Sequence, residues 1–220
     1  MRLTWLGACT LAEAIGITAA AGAARLATWV TDVREAPPAV ALGVVVAGGL
    51  VEGTALGVLQ ARVLRTALGP AAARRWAGAT VLVAGLAWAA GSAPATLSTD
   101  DGGRPPALPL VLLGAAALGT MAGALLGAAQ AVVVRRRVEH PWSWVRASTI
   151  GWTAAMPVIF LGAGVAGADW SWLTVVLLGT ATGTLAGAVL GGTTRHAADA
   201  FLIADRRRGP KVPSPQEVRP

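Results

Sequence analysis

Reactive and metal-binding side chains are scarce in this sequence. Of 220 residues one is cysteine, two are histidine and none is tyrosine. The lone Cys9 excludes an intrachain disulfide, and one cysteine with two histidines supplies too few ligands for a zinc site. His140 and His196 lie far apart in polar segments, and no zinc-protease motif, phosphate-binding loop or nucleophile elbow occurs. We therefore predict that the protein is not an enzyme and has no cofactor and no metal.

Charged residues are also few. They make up 13% of the chain, about half the share in a soluble domain, whereas 55% of the residues are hydrophobic and the mean hydropathy is +0.61. Apolar runs of about 20 residues, enough to cross a bilayer core, alternate with polar clusters. We predict an all-α, polytopic transmembrane bundle of six helices over 1–198, followed by a basic, proline-rich, disordered tail over 199–220. The six spans are placed at about 3–25, 38–60, 77–97, 107–131, 147–168 and 171–193.

The cationic residues indicate the orientation. Of the 18 lysines and arginines, only Arg25, Arg34 and Arg104 fall on the side that faces away from both termini. Because cationic loops stay in the cytoplasm, both termini are predicted to be cytoplasmic, and the net charge of +7 is attributed to loop charge and not to nucleic-acid binding. A single lysine, Lys211, among many arginines, alanines and glycines is typical of a GC-rich bacterial genome, so we predict the bacterial plasma membrane.

Tryptophans near the predicted helix ends fit the same orientation, because an indole has an apolar ring and an N–H group that prefers water. At the inner interface we expect Trp5, Trp76, Trp142 and Trp144, and at the outer one Trp29, Trp170 and Trp172. Trp88 and Trp152 lie deeper in their spans and are expected to pack between helices.

The sequence contains three similar segments, which form an internal repeat. Glycines recur every four residues in the even-numbered predicted helices, and each series ends on a polar residue. The three series are Gly49, Gly53, Gly57 with Gln60; Gly119, Gly123, Gly127 with Gln130; and Gly183, Gly187, Gly191 with Thr194. They predict three two-helix repeats of parallel orientation, at about 1–65, 72–137 and 142–198. Residues four apart share a helix face, so each even helix is predicted to be a glycine zipper that packs closely on a neighbour.

The polar residue that ends each glycine series extends the same helix face towards the cytoplasm. We expect Gln60, Gln130 and Thr194 to form a polar ring where the three even-numbered helices meet. Such a ring is either a gate for a solute or ion, or a set of hydrogen bonds between helices. The second alternative is favoured, because polar residues commonly hold transmembrane helices together.

These motifs resemble those of a family of bacterial multi-pass membrane proteins with repeated G-x3-G-x2-Q segments followed by arginine and tryptophan. The likeness is best over helices 2 to 5. Its first copy has Gly53, Gly57, Gln60, Arg65 and Trp76, and its second has Gly123, Gly127, Gln130, Arg135 and Trp144. Ala61 and Ala131 stand where the family usually has tryptophan. The resemblance implies a bundle of about six helices and no particular activity.

Two acidic residues lie inside apolar spans, Glu13 in helix 1 and Glu52 in helix 2. An ionised carboxylate at the bilayer centre costs about 2.5–3.5 kcal/mol on insertion scales, and no cationic residue is expected at that depth. The acids are therefore protonated, face a water-filled cavity, or share a cation. They form a candidate intramembrane proton or ion site, with a purely structural role as the alternative.

Two functions follow from these features. The first is a non-enzymatic structural or accessory membrane component, because the glycine faces suit association and the loops are too short for chemistry. The alternative is a small proton- or cation-coupled transporter or channel that uses Glu13 and Glu52. The expected partners are the lipid bilayer, a second copy or another membrane protein, and anionic lipid at Arg206, Arg207 and Arg208.

Overall fold

The described part of the protein, in a computed structural model, comprises residues 3–97, 106–138, 140–165, 167 and 170–207, with side chains described up to residue 202. It is entirely α-helical, and no strand occurs within these ranges. The chain order is α1 (Trp5–Asp32), α2 (Pro38–Leu97), α3 (Leu108–Val134), α4 (Pro141–Val165) and α5 (Trp172–Arg207).

Local sequence accounts for several helix ends. The Thr4 side chain accepts a hydrogen bond from the Gly7 N–H at 3.1 Å, which satisfies one of the free donors at the start of α1. α2 begins at Pro38 and α4 at Pro141. Proline suits a first helical position, because its fixed φ is helical and its missing N–H group would have no partner there.

The described residues form five helices in place of the six that were predicted. The predicted spans 38–60 and 77–97 both lie in α2, because the polar segment between them is itself helical up to a single break. At Gly69 the backbone adopts φ 72° and ψ 162°, a conformation that glycine alone adopts readily, and Pro70 follows. The chain reverses at this break, since Gly53 in the first arm (38–68) packs against Ala84 in the second arm (70–97).

The helices follow one another around a closed ring. α1 packs against α5 and against α2, α3 packs against α4 and α2, and α4 packs against α5. The two arms of α2 lie side by side within the ring. The first and last helices are therefore neighbours, and the helices surround a central space.

The glycine series lie at close helix contacts. Gly53 and Gly57 face the second arm of α2, where a Cβ on Gly57 would come within 2.9 Å of the Ala77 carbonyl oxygen. A Cβ on Gly123 in α3 would be 2.7 Å from the Ser148 carbonyl oxygen in α4. The series in α5 packs on α1, where a Cβ on Gly187 would be 2.6 Å from the Cys9 carbonyl oxygen. The glycine faces are thus occupied by helices of the same chain.

The outer surface is apolar. Large aliphatic side chains point outwards along the helices, among them Leu82, Leu113 and Leu173 with 63%, 68% and 68% of their surfaces exposed. All five helices are long and apolar enough to cross a membrane. Because a soluble monomer rarely exposes such a continuous apolar surface, these features indicate a helical multi-pass membrane protein.

α5 continues past the predicted domain boundary at residue 198 and ends at Arg207. Phe201 is buried there against Trp76 and Trp144, so this part of the predicted tail packs on the bundle and extends the helix. The side chains of Arg206, Arg207 and Arg208, where anionic lipid was expected, and the segment 208–220 lie outside the described residues.

Candidate functional site: a central cavity with two carboxyl groups

A cavity of about 360 Å³ lies between the helices. Every helix contributes to its wall, from Ile17 in α1 to Thr182 in α5. The wall is mostly aliphatic and aromatic, and its side chains with polar atoms are those of Glu52, Thr80, Trp88, Ser92, Trp152 and Thr182. Ser92 lies near the end of α2, so the cavity occupies the half of the bundle away from Trp5 and Trp76. In the part of the chain that the structure describes, no lysine, arginine or histidine lines it.

Aromatic rings close the other end of the bundle. The Trp144 ring lies 5.5 Å from that of Trp5, 5.2 Å from that of Trp76 and 5.5 Å from that of Phe201, between centroids. We call these four residues the tryptophan cluster. Trp5, Trp76 and Trp144 are 4%, 0% and 2% exposed, so their indoles face the interior of the bundle and not lipid or water. Their predicted depth near the inner interface stays a prediction. Of the tryptophans expected at that end, Trp142 alone is exposed, at 61%.

These tryptophans are buried because their N–H groups find acceptors inside the protein. The Trp76 indole donates to the Gln60 Oε1 atom at 3.1 Å, and Trp144 donates to the Gln130 Oε1 atom at 2.8 Å. Trp5 donates to the Thr194 Oγ1 atom at 2.9 Å. Each pair joins the polar end of a glycine series to the helix on which that series packs.

The predicted polar ring therefore takes a different form. Gln60 and Gln130 also donate through Nε2, to the Cys9 Sγ atom at 3.6 Å and to the Thr80 Oγ1 atom at 2.8 Å. Within the described residues, Gln60, Gln130 and Thr194 thus bond to odd-numbered predicted helices and not to one another. Their side chains hold adjacent helices together around the tryptophan cluster.

Glu52 and Glu13 lie together next to the cavity, although they come from different helices. Glu52 is part of the cavity wall, and its Oε2 atom accepts a hydrogen bond of 2.5 Å from the Trp88 indole. Glu13 lies behind it, 1% exposed, against Gly183 and Gly187 of α5. Neither oxygen of Glu13 has a hydrogen-bond donor as a partner, and its carboxyl group faces that of Glu52 within interaction range. We call Glu13 and Glu52 the carboxyl pair.

The pair has no countercharge. Among the described residues, Glu13 and Glu52 are the only charged side chains that are buried. Two adjacent carboxylates repel each other, and burial disfavours the charged form of each. A proton between them would remove the repulsion and would supply the hydrogen bond that the Glu13 oxygens lack. The geometry therefore suits a pair that holds and exchanges a proton.

The sequence did not indicate two residues that shape this site. Gly16 gives Glu52 its space, because a Cβ at Gly16 would lie 2.5 Å from the Glu52 Cγ atom and 2.7 Å from its Cα atom. Gly16 follows Glu13 by three residues, which places it on the same helix face. Trp88 was expected to pack between helices, but its hydrogen bond to Glu52 was not foreseen. That partnership depends on the hairpin at Gly69.

No group of three or more histidine, cysteine or acidic residues that would hold a metal ion occurs in the described part of the chain. No protein-family model, curated protein or solved structure matches the sequence. The family resemblance inferred from the glycine and glutamine motifs stays a prediction.

Proposed function

We propose that this chain is a small proton-coupled transporter of the bacterial plasma membrane. In this proposal the two arms of α2 are separate transmembrane helices, so the chain crosses the membrane six times as three two-helix repeats with glycine-zipper packing. Both termini and the tryptophan cluster are cytoplasmic, as the distribution of arginines favours. The cavity then faces the outer half of the membrane.

The observation that carries the proposal is the position of Glu52. Glu52 lines the cavity, and the fully buried carboxyl group of Glu13 lies behind it, within range of electrostatic interaction. Ionisable groups within a membrane are costly and usually lie on the path of an ion or proton. A solute that enters the cavity meets the one wall residue that exchanges a proton, so solute binding and proton binding are coupled at this point.

A structural or accessory role, the first expectation from the sequence, has less support. Its support in the sequence was the glycine faces, which suit association, and the short loops. In the structure those faces are covered by helices of the same chain. The remaining outer surface is made of large aliphatic side chains, which suit lipid as well as protein.

Transport requires that the tryptophan cluster opens to the second side of the membrane. The indole N–H groups of the three tryptophans donate hydrogen bonds to side chains of neighbouring transmembrane segments. Movement of one two-helix repeat relative to the next therefore exchanges or breaks these bonds. Small residues along the glycine faces permit such sliding without side-chain interdigitation. We place the barrier to the cytoplasm at this cluster.

Infrared spectroscopy of the full-length protein in lipid tests whether the carboxyl pair exchanges a proton. In the wild type, the band of protonated carboxyl groups should shrink as the pH is raised from about 5 to 9, the range for carboxyl groups perturbed by burial. In Glu52→Gln, Glu13 has a neutral neighbour and should stay protonated, so this part of the change should vanish. Glu35→Gln removes an exposed acid and is the matched control. The quantity compared is the intensity of the protonated-carboxyl band in the wild type minus that in Glu52→Gln. If this difference is the same at every pH, Glu52 does not titrate and the proposal is refuted.

A further inference from the structure

We infer that the cavity binds a monovalent organic cation with a bulky apolar body, which replaces the proton on the carboxyl pair. This inference rests on the proposed function and names its class of substrate. It is drawn from the charge, the wall and the size of the cavity.

The charge of the site selects a cation. Among the described residues, Glu52 is the only ionisable one on the cavity wall, and Glu13 behind it adds a second carboxyl group. With both carboxyl groups protonated the pair is neutral, with one proton shared between them it has a single negative charge, and with both protons gone it has two. A neutral or anionic ligand gains nothing from the pair, whereas a cation stabilises its ionised form.

The wall selects an organic cation over an inorganic one. A small metal cation requires several oxygen ligands to replace its water, and the cavity presents few oxygen atoms among many aliphatic groups. The indole of Trp152 is 7% exposed, and that of Trp88 adjoins the carboxyl pair. Apolar surface gains from burial against such a wall, and an aromatic face attracts an organic cation.

The size of the cavity limits the ligand. A volume of about 360 Å³ is at the lower end of the range for sites that bind drug-sized molecules, roughly 300–1,000 Å³. The site therefore suits a compact cation with two or three rings, and it excludes a phospholipid with two acyl chains.

Proton and cation compete because no neighbouring cationic group can neutralise the pair. Its two members are Glu13 from α1 and Glu52 from the first arm of α2, and the ionisable group of Cys9 in α1 is their neighbour. The second arm contributes Trp88, and α5 contributes Gly183 and Gly187. Within the described residues no buried arginine, lysine or histidine is present to balance the pair. Each bound cation should therefore release one proton.

The probe is methyltriphenylphosphonium, a cation with three aromatic rings, and the measurement is equilibrium binding to the full-length protein in lipid nanodiscs. Binding should be saturable, and the apparent Kd should rise by about tenfold per pH unit as the solution is made more acidic, because binding and proton release are linked reciprocally. Glu52→Gln should weaken binding at high pH at least about tenfold, the effect of losing a hydrogen-bonded or charged partner. Glu35→Gln should bind as the wild type does.

Two further measurements separate the possible results. The neutral carbon analogue of the probe, with carbon in place of phosphorus, should compete weakly and without pH dependence. In weakly buffered solution at the acidic end of the infrared titration, where both carboxyl groups are protonated, addition of the cation to the wild type should release about one proton per cation bound, as the linkage requires. This second readout does not depend on the folding of any variant.

Three results would contradict the inference, and a fourth would contradict the proposed function on which it rests. Equal binding of the neutral analogue at every pH would show that the wall alone selects the ligand. Binding without proton release would show that the pair is not the cation site. If the infrared band titrates as proposed but the cation does not bind, the substrate class is wrong and the proton-exchange site stands. If the band does not titrate, the proposed function itself fails.

Discussion

Gly16 shows how a residue without a side chain shapes the candidate site. It allows Glu52 to approach α1 closely enough for the two carboxyl groups to interact. A methyl group at residue 16 would overlap both the side chain and the Cα atom of Glu52. Since the Cα atom belongs to the backbone, a rotamer change cannot remove the overlap.

Gly16→Ala should therefore lower the stability of the folded protein by about 1–3 kcal/mol, the usual cost of overpacking. It should also separate the carboxyl pair and alter the infrared titration. Gly78→Ala in α2 is the control, because a Cβ there has open space around it and alanine favours a helix by about 0.5–1 kcal/mol. Unfolding by denaturing detergent in mixed micelles measures both variants. Equal stability of Gly16→Ala and the wild type would mean that the helices are farther apart than in the structure.

Among the helices, α3 and α4 provide the clearest test of glycine packing. Gly123 faces the Ser148 carbonyl oxygen, the Thr149 Cα atom at 2.9 Å and the Trp152 Cβ atom at 2.9 Å, all measured from the position that a Cβ would occupy. In lipid, this close approach of backbones is a main source of helix association, because burying one aliphatic side chain against another gains little over burying it in lipid.

Gly123→Ala should destabilise the protein by about 1–3 kcal/mol, and Gly123→Leu should prevent α3 and α4 from packing. Gly114→Ala, in the same helix but with nothing near its added methyl group, should have wild-type stability or slightly more. Thermal denaturation in detergent, followed by circular dichroism, compares the three variants. If Gly123→Leu melts at the wild-type temperature, the glycine face is not at a helix interface.

At the scale of the whole molecule, the proposed orientation decides which compartment the cavity faces. Asp32 at the end of α1 and His140 before α4 are both exposed and lie in connections that the arginine distribution assigns to opposite sides of the membrane. Cys9 is fully buried and can be replaced by alanine to give a background without thiols.

In that background, a cysteine at residue 32 should react with a membrane-impermeant maleimide in intact cells. A cysteine at residue 140 should react only after the cells are broken, because its loop is on the cationic, cytoplasmic side. Reaction of both in broken cells shows that each is accessible. Labelling of residue 140 but not residue 32 in intact cells would reverse the orientation and turn the cavity towards the cytoplasm.

The sequence by itself determined the helical class and the membrane location. Hydropathy is a sum over neighbouring residues, so runs near 77–97 or 107–131 identify apolar helices without knowledge of their partners. The spacing of Gly119, Gly123 and Gly127 likewise defines one helix face. The sequence also placed both acids within apolar runs, although it did not establish that they meet.

The tertiary structure decided which faces meet. The indoles of Trp76 and Trp144 were expected at the lipid–water boundary, but they are buried because Gln60, from the other arm of α2, and Gln130, from α3, supply the acceptors that water would otherwise provide. Whether those acceptors are within reach depends on the hairpin at Gly69 and on helix register. Neither can be deduced from composition or periodicity. The carboxyl pair arose in the same way, since a contact between α1 and α2 at Gly16 brings together two side chains that are distant in the chain.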